Sequence, residues 1–224
     1  SYVKGRKILR GNTFEALPGQ KIGLCGPTGA GKSTIINILT RYYDIDSGTI
    51  TIDGQNIADV TQESLRQNIA AVLQEPFLFS DTVMNNLKYA REGATDEECI
   101  AAAKQANAHE FIMQLAQGYD TLLTERGSNL SQGQRQMLTI ARAMVADPKM
   151  LILDEATSNV DTRTEKLIQE GLARLMEGKT SFVIAHRLST IRDSARILVI
   201  DAGAIVEQGT HDELMARQGF YYNL

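Results

Sequence analysis

The sequence predicts an α/β protein with a mainly parallel sheet, and three observations support this. Continuously apolar runs at Lys149 to Asp154 and at Thr180 to Ala185 are typical of strands covered on both faces. A helical pattern from Thr162 to Met176 lies between them, and strands that alternate with helices are typical of parallel sheets. A glycine-rich turn joins an apolar strand at Lys21 to Cys25 to a helix that starts at Lys32.

Further strands and a last helix are predicted around this core. Thr49 to Ile52 alternates in polarity before an Asp53-Gly54 turn, which indicates a half-buried strand in a hairpin. Ile69 to Leu73 is another short apolar strand, and it ends at Gln74. The remaining predicted elements are a hairpin with strands at Ile197 to Ile200 and Ile205 to Val206, and a helix at His211 to Arg217.

The pattern changes to helix in the middle of the chain, which predicts an inserted helical lobe. Thr95 to Ala106 is rich in Ala and Glu, as helices often are. Ser131 and Gln134 have the spacing of a capping box, so a long helix from Gln132 to Ala146 should start there. We expect one domain over 1–224, with an α/β core at 1–74 and 148–224 and an inserted helical subdomain at 75–147.

Composition narrows the class of protein. The chain has 224 residues, 43% of them apolar and 22% charged, which is a globular composition. Its net charge of −4, without a run of Lys and Arg, argues against a nucleic-acid surface. Its apolar runs are far shorter than the roughly 18 residues of a membrane helix, and Cys25 and Cys99 have no metal or redox spacing. We therefore expect no nucleic-acid partner and a reducing, cytoplasmic setting.

The glycine-rich turn has the sequence of a phosphate-binding loop. Gly26, Gly31, Lys32 and Ser33 match G-x-x-x-x-G-K-[ST], in which backbone N–H groups close on phosphate oxygens at a helix start. We expect Lys32 to reach the β- and γ-phosphates of a nucleotide and the Ser33 hydroxyl to bind Mg²⁺. An ordinary glycine turn is the alternative, but the strand before it and the helix after it favour the phosphate loop. The candidate nucleotide-binding residues of the turn are Gly26, Pro27, Thr28, Gly29, Ala30, Gly31, Lys32, Ser33 and Thr34.

Polar side chains stand at the ends of three other predicted strands. Asp154 and Glu155 end one of them, where an Asp can hold Mg²⁺ and a Glu can orient and deprotonate an attacking water. Gln74, whose amide oxygen can bind a metal or a water, and His186 follow the other two. A structural role is the alternative for each residue taken alone. Open α/β sheets bind ligands at the carboxyl ends of their parallel strands. We therefore expect Lys32, Gln74, Glu155 and His186 to gather around one terminal phosphate.

The order of these segments resembles the nucleotide-binding domain of ABC transporters, over essentially the whole chain. The matching segments are Gly26 to Thr34 (Walker A), Gln74 (Q-loop), Leu130 to Gln134 (LSGGQ signature), Leu151 to Glu155 (Walker B), Ser158 to Asp161 (D-loop) and His186 (H-loop). Tyr2 stands where this family stacks an aromatic ring on adenine. The stretches Gln74 to Leu87 and Glu125 to Ala143 are most similar to the exporter branch.

The resemblance implies an ATPase of a membrane exporter, built as a RecA-like P-loop NTPase with an antiparallel β subdomain and an inserted helical subdomain. It implies the cofactors ATP and Mg²⁺, and a head-to-tail dimer with two ATP molecules between the domains. Ser131, Gly133, Gln134 and Asp161 would then contact nucleotide across the dimer interface, although a simple helix cap also explains Ser131. It further implies attachment to transmembrane domains, absent from this chain, at the cytoplasmic face of a membrane.

Two features depart from the family pattern. Gln132 stands where the signature has glycine, so its side chain should crowd the site that this chain completes for its partner. The chain's own loop, with Lys32, Asp154, Glu155 and His186, has the residues of a competent site. We therefore hypothesise a heterodimer. Tyr2 is almost the first residue, without the strand that precedes it in the family, so we expect a domain from a longer polypeptide.

Two other functions are alternatives. One is a soluble ABC-type ATPase that works on DNA or ribosomes, but those relatives carry long coiled coils or a second copy of the domain. The other is a module that binds ATP without hydrolysing it, against which Glu155 and His186 argue. The resemblance implies that a membrane domain, absent from this chain, selects the transported substrate.

Overall fold

The computed structural model describes residues 11–27, 29–41, 43–73, 77–154 and 160–224. The strands are β1 (Lys21–Cys25), β2 (Thr51–Ile52), β3 (Gln55–Asn56), β4 (Ile69–Val72), β5 (Met150–Asp154), β6 (Thr180–Ile184), β7 (Arg196–Asp201) and β8 (Ala204–Gly209). The α-helices are α1 (Lys32–Leu39), α2 (Gln62–Gln67), α3 (Val83–Lys88), α4 (Asp96–Gln105), α5 (His109–Gln114), α6 (Gln132–Ala146), α7 (Thr162–Met176), α8 (Leu188–Ile191) and α9 (His211–Arg217). Single 3₁₀ turns occur at Ile57–Asp59, Gly118–Asp120, Glu125–Gly127 and Tyr221–Asn223.

Six strands form one sheet in the order β4-β5-β6-β1-β7-β8. The strand β1 lies inside it and runs parallel to both neighbours, so that Leu24 pairs with Ile184 of β6 and with Leu198 of β7. The edge strand β8 is antiparallel to β7. The predicted α/β class with a mainly parallel sheet is therefore confirmed.

A buried apolar cluster holds α1 against the sheet. Ile35, Ile36 and Leu39 of α1 follow the spacing of one helix face, and they pack with Ile22 and Leu24 of β1, which are fully buried. Each large apolar side chain buried in this way contributes about 1.5–3 kcal/mol. The first residues of α1 are therefore held at the edge of the sheet where β1 ends.

The contacts divide the chain into two compact units. One comprises Ser1–Ile69, Lys149–Leu153 and Thr180–Leu224, and the other comprises Ala70–Pro148 and Asp154–Lys179. The predicted helical lobe, 75–147, falls within the second unit. The helix α7, which we had counted with the α/β core, groups with this unit because it packs on α6. The subdomain boundary at 75–147 remains a prediction.

Side-chain caps set the helix starts in the second unit. Ser131 is the N-cap of α6 and forms a complete capping box. Asp161 is the N-cap of α7, and its carboxylate accepts the backbone N–H of Thr164 at 3.1 Å. Both helices span the predicted residues. Arg174 of α7 donates to Gln105 O at 2.8 Å, which satisfies a carbonyl at the end of α4.

Some short elements differ from the prediction. Only Thr51 and Ile52 of the predicted strand Thr49 to Ile52 belong to β2, because the partner strand β3 ends at Asn56, where the 3₁₀ turn Ile57–Asp59 begins. Ile50 still makes a backbone bond, since Ile57 N donates to its carbonyl at 3.0 Å. The helices α2 and α8 were not predicted. Each buries a single residue, so neither has a periodic apolar face that the sequence could reveal.

Candidate functional site

The first position of the phosphate loop requires glycine because of the backbone that packs against it. Gly26 follows β1 with φ 141°, and a Cβ at this position would overlap the carbonyl oxygen of Ile200 in β7. A side chain is thus excluded by conformation and by space. The loop then turns back, since Ala30 N donates to Pro27 O at 3.1 Å and Gly203 N donates to Ala30 O at 2.7 Å. These bonds fix the loop to the turn between β7 and β8.

The start of α1 is open to an anion. Gly31, with φ 112°, is the N-cap and provides no side-chain acceptor, whereas Ser, Thr or Asp side chains cap α2, α3, α4, α6, α7 and α9. Gly31 thus leaves the first N–H groups of α1 without a capping side chain from the N-cap position, and these groups carry the positive end of the helix dipole. This arrangement fits a bound phosphate.

Lys32, Ser33 and Thr34 open α1 beside the loop. The Lys32 ammonium is half-buried and donates to Gly26 O at 2.7 Å, so it is held over the loop. Ser33 is exposed, and its hydroxyl is a hard oxygen donor of the kind that Mg²⁺ takes. Gly29 and Ala30 complete the described part of the loop, and Thr28 lies outside the described residues.

The thiol of Cys25 lies directly beneath the loop. Burial raises its pKa to about 11, although the nearby Lys32 charge acts in the opposite direction. The thiol therefore stays neutral at physiological pH. It packs as a small apolar group at the end of β1.

His186 emerges at the same edge of the sheet as the phosphate loop. β6 runs parallel to β1, with Leu24 opposite Ile184, and Ala185 N donates to Leu24 O at 2.9 Å. After Ala185, the chain that leaves β6 continues with His186. After Cys25, the chain that leaves β1 continues with Gly26. The register therefore brings His186 to the end of β1 where the loop begins, and its side chain is exposed there.

The other predicted strand-end residues are described only in part. Asp154 is the last residue of β5, a strand next to β6 in the sheet order, and its carboxylate is partly exposed. The predicted catalytic residues Glu155 and Gln74 lie outside the described residues, as does Tyr2. Their assignment stays a prediction from the sequence.

In the second unit, the signature helix and the start of α7 are packed together. Gly133 is buried, and a Cβ there would overlap the methyl group of Thr164 and contact Val160 at 3.4 Å. Asp161, the predicted D-loop residue, caps α7 by accepting hydrogen bonds from Thr164. These hydrogen bonds lower the pKa of the Asp161 carboxyl group. The structure thus brings together Gly133 and the residues that flank Asp161, although they are far apart in the sequence.

The signature residues beside Gly133 have different surroundings. Ser131 Oγ accepts Gln134 N at 3.2 Å, and Gln134 Oε1 accepts Ser131 N at 3.0 Å, so both side chains are used in the cap. Ser131 is nevertheless exposed, and Gln132 is half-exposed. A residue with a side chain is accommodated at position 132, whereas at position 133 only glycine fits without movement of the Thr164 side chain.

Several residues that shape the site gave no sequence signal. Asn12 donates to Gly203 O at 2.9 Å and accepts Ile205 N at 2.7 Å, which fixes the turn that holds the phosphate loop. Thr164 confines Gly133, and Lys21 contacts the helix that follows His186. Each of these contacts joins residues distant in sequence, so no local spacing could have indicated it.

Comparisons with known proteins place the chain in a family. The sequence model described as ABC transporter matches residues 9–158. An ABC transporter ATP-binding protein of Bacillus subtilis, YfiC, is 54% identical over 100% of this chain and 37% of its own length. A fatty acid ABC transporter ATP-binding/permease protein of Mycobacterium bovis is 49% identical over 100% of this chain and 36% of its own length. The chain thus spans little more than a third of these relatives.

A solved structure agrees in fold and in sequence. The structure of a bacterial Atm1-family ABC exporter with ATP bound superposes with a TM-score of 0.93 and 48% identity, over 100% of this chain and 39% of that one. Within the described ranges, none of the helices has the length and apolar character to cross a membrane. The matched segments carry the phosphate loop, the strand-end residues and the signature helix described above. This chain therefore belongs to the ABC transporter family, as an ATP-binding domain of the exporter type.

Proposed function

We propose that this domain binds ATP with Mg²⁺, hydrolyses the ATP, and uses the reaction to power an exporter. The observation that supports this best is the register of β1 and β6, which presents the phosphate loop and His186 at one sheet edge. The ATP-bound exporter with a similar fold supports ATP as the nucleotide.

The residues of the site fit the requirements of phosphoryl transfer. The N–H groups of the loop and of the α1 start would bind the β- and γ-phosphates, with Lys32 adding a positive charge. Ser33 and Asp154 would hold Mg²⁺, which when bound neutralises charge on the β- and γ-oxygens. Glu155 would orient and deprotonate the attacking water, and Gln74 and His186 would contact the water, the metal or the γ-phosphate.

A second nucleotide-binding domain would complete the site. We assign Ser131, Gly133 and Gln134, and the D-loop Asp161, to the ATP bound by a partner in a head-to-tail dimer. The exposed Ser131 at the start of the fifteen-residue helix α6 is compatible with this role. Gln132, which replaces a signature glycine, favours a partner with an intact signature, and thus a heterodimer.

An exposed aromatic cluster supports attachment to a membrane domain. Phe77 and Tyr89 are 57% and 72% exposed, and both pack on Phe79, with ring centroids 5.0 Å and 4.4 Å away. Buried Asn86 holds this segment, accepting Phe79 N at 2.8 Å and donating to Phe79 O at 3.1 Å. A cluster of exposed rings just after Gln74 is typical of a protein interaction surface.

This surface would receive the cytoplasmic loops of transmembrane domains. The domain would then work at the cytoplasmic face of a membrane. Since the relatives are described as transporters and an exporter, the soluble alternative that acts on nucleic acid or ribosomes is not favoured.

Phosphate release by the purified chain and by its Glu155→Gln variant tests the proposal. If Glu155 is the base, the variant should still bind ATP but lose hydrolysis by at least about 100-fold, because the water is no longer deprotonated. Lys32→Ala is the matched comparison, and it should weaken ATP binding itself. An unchanged rate for Glu155→Gln would refute the assigned base, and no phosphate release by the parent chain with any partner would favour the non-hydrolysing alternative.

A further inference from the structure

The short helix that follows His186 is fastened to the first residue of β1. Lys21 Nζ donates to Thr190 O at 2.7 Å and to Asp193 Oδ1 at 2.7 Å, so it binds the C-terminal end of α8. A lysine at this end of a helix can bind the last carbonyl groups and complements the partial negative charge there. The backbone of Lys21 adds a third bond, since its carbonyl accepts Ala195 N at 3.0 Å.

A glycine two residues further along β1 allows α8 to lie directly on the strand. A Cβ at Gly23 would lie 2.6 Å from Ile191 Cβ and 3.1 Å from Ser194 Oγ. Ile191 is fully buried and is the one residue that α8 buries. The missing side chain of Gly23 therefore provides the space in which α8 packs.

The segment that carries His186 is attached to β1 on both sides. Before His186, Ala185 N donates to Leu24 O, and after it the contacts of Lys21 and Gly23 hold the end of α8. Between these points α8 has only four residues and no side-chain N-cap, so it has little stability of its own. Its position depends on β1, the strand that also leads into the phosphate loop.

We propose that Lys21 is a positioning residue for His186: by tying the end of α8 to β1, it sets the place of His186 relative to the phosphate loop. This inference rests on the proposed role of His186 in ATP hydrolysis. Lys21 is the first residue of β1 and the phosphate loop follows the last one, so Lys21 is not placed to contact the nucleotide. Its loss should therefore impair the reaction through the misplacement of His186, while the loop at the other end of β1 continues to bind ATP.

A second lysine of the chain provides a closely matched control. Lys179 Nζ donates to Asp147 Oδ1 at 2.7 Å and to Pro148 O at 3.0 Å. Its side chain is 18% exposed, against 20% for Lys21, and each aspartate partner is 80% exposed. Lys179 thus makes the same kind of bonds at a similar burial, but these bonds go to the segment that follows α6 and not to α8.

ATP hydrolysis by Lys21→Met and Lys179→Met should separate positioning from a general loss of stability. We expect Lys21→Met to lower kcat about 10-fold with a KM for ATP within about twofold of the parent, because ground-state binding is kept. Lys179→Met should leave both constants within about twofold, at a comparable thermal midpoint. Lys21→Arg, which keeps donors for Thr190 and Asp193, should recover most of the loss.

Two further variants test the positioning role of Lys21 independently. Asp193→Ala removes one exposed partner of Lys21 and should fold even if Lys21→Met does not, with kcat lowered about threefold. In a His186→Ala background, Lys21→Met should cause no further loss, because the two residues act in series. Equal effects of Lys21→Met and Lys179→Met, or a full additional loss in that background, would overturn the positioning role. If His186→Ala itself left hydrolysis unchanged, the assigned role of His186 would fail instead, and with it the reason for positioning it.

Discussion

At the scale of single residues, the phosphate loop depends on glycines for two different reasons. Gly26 has a positive φ, and the Ile200 carbonyl occupies the place of its Cβ. Gly29 also has a positive φ, 79°, but a Cβ there would meet nothing within 4 Å. The first glycine is required by packing and conformation, and the second by conformation alone.

This difference predicts the outcome of two matched substitutions. Gly29→Ala should lower the free energy of unfolding by about 1–2 kcal/mol, the cost of a Cβ in the left-handed region. Gly26→Ala should lower it by about 3 kcal/mol or more, because β1 and β7 must also move apart. Urea unfolding of both variants measures the difference. Equal losses would show that the Ile200 carbonyl does not confine Gly26.

The sequence could identify the residues of the loop but not those that support it. The spacing of Gly26, Gly31, Lys32 and Ser33 is local, so a motif reveals it. The contacts of Asn12 with the turn at Gly203 span nearly the whole chain, and nothing in the neighbours of Asn12 marks it. Support for a site comes from tertiary packing, which a single sequence encodes only indirectly.

At the scale of elements, helices with strong end signals were the most predictable. The helix α6 starts after Ser131 and α7 after Asp161, both good N-cap residues, and both helices have a long periodic apolar face. The short α8 lacks a side-chain cap and buries only Ile191, so its sequence resembles a loop. It forms because Lys21 and Gly23 of another element hold it.

The N-terminal end of α6, at Ser131, has a structural role and a proposed functional role. Its hydroxyl caps α6 by accepting Gln134 N at 3.2 Å. The proposed role at the partner's γ-phosphate uses the same exposed helix end. Because a cap tolerates negative charge and a phosphate does not, charge can separate the two roles.

A series of substitutions at Ser131 makes that separation measurable. Asn and Asp cap helices about as well as Ser, so both variants should keep the free energy of unfolding within about 0.5 kcal/mol, whereas Ala should lose about 1 kcal/mol. Ser131→Asp should nevertheless lower ATP hydrolysis in the dimer by at least about 10-fold, because its carboxylate repels the phosphate.

Ser131→Asn is the neutral control of this series, and it should lower hydrolysis less than Ser131→Asp does. Phosphate release at saturating ATP, measured beside chemical unfolding, gives both quantities for each variant. If hydrolysis followed stability across Ala, Asn and Asp, the capping role alone would explain Ser131.

At the scale of the whole molecule, this chain corresponds to only part of the length of its relatives. It spans 37% of its Bacillus subtilis relative and 39% of the exporter chain that it resembles. Its phosphate loop, His186 and Asp154 are at the ends of its own strands, whereas the proposed role of its signature helix is exercised on the nucleotide of another chain. The site that binds this chain's own nucleotide and the site that its signature helix completes for a partner can therefore differ in catalytic competence.

The heterodimer hypothesis predicts that this difference appears when chains are mixed. In a head-to-tail dimer, the phosphate loop of this chain is completed by the signature of the partner, and Gln132 affects only the site of the partner. Mixed with an ABC exporter domain that has glycine at the equivalent position and an inactivated catalytic glutamate, this chain should hydrolyse ATP about 10-fold faster than alone, since a competent site gains unhindered donors. Gln132→Gly should raise the rate of the unmixed chain towards the same value, because it removes the side chain from a half-exposed position at the start of α6. Gln132→Asn, which keeps a Cβ and an amide, is the control and should leave the slow rate unchanged. Fast hydrolysis by the unmixed parent chain, without a gain from the partner or from Gln132→Gly, would show that Gln132 is compatible with an active symmetric dimer.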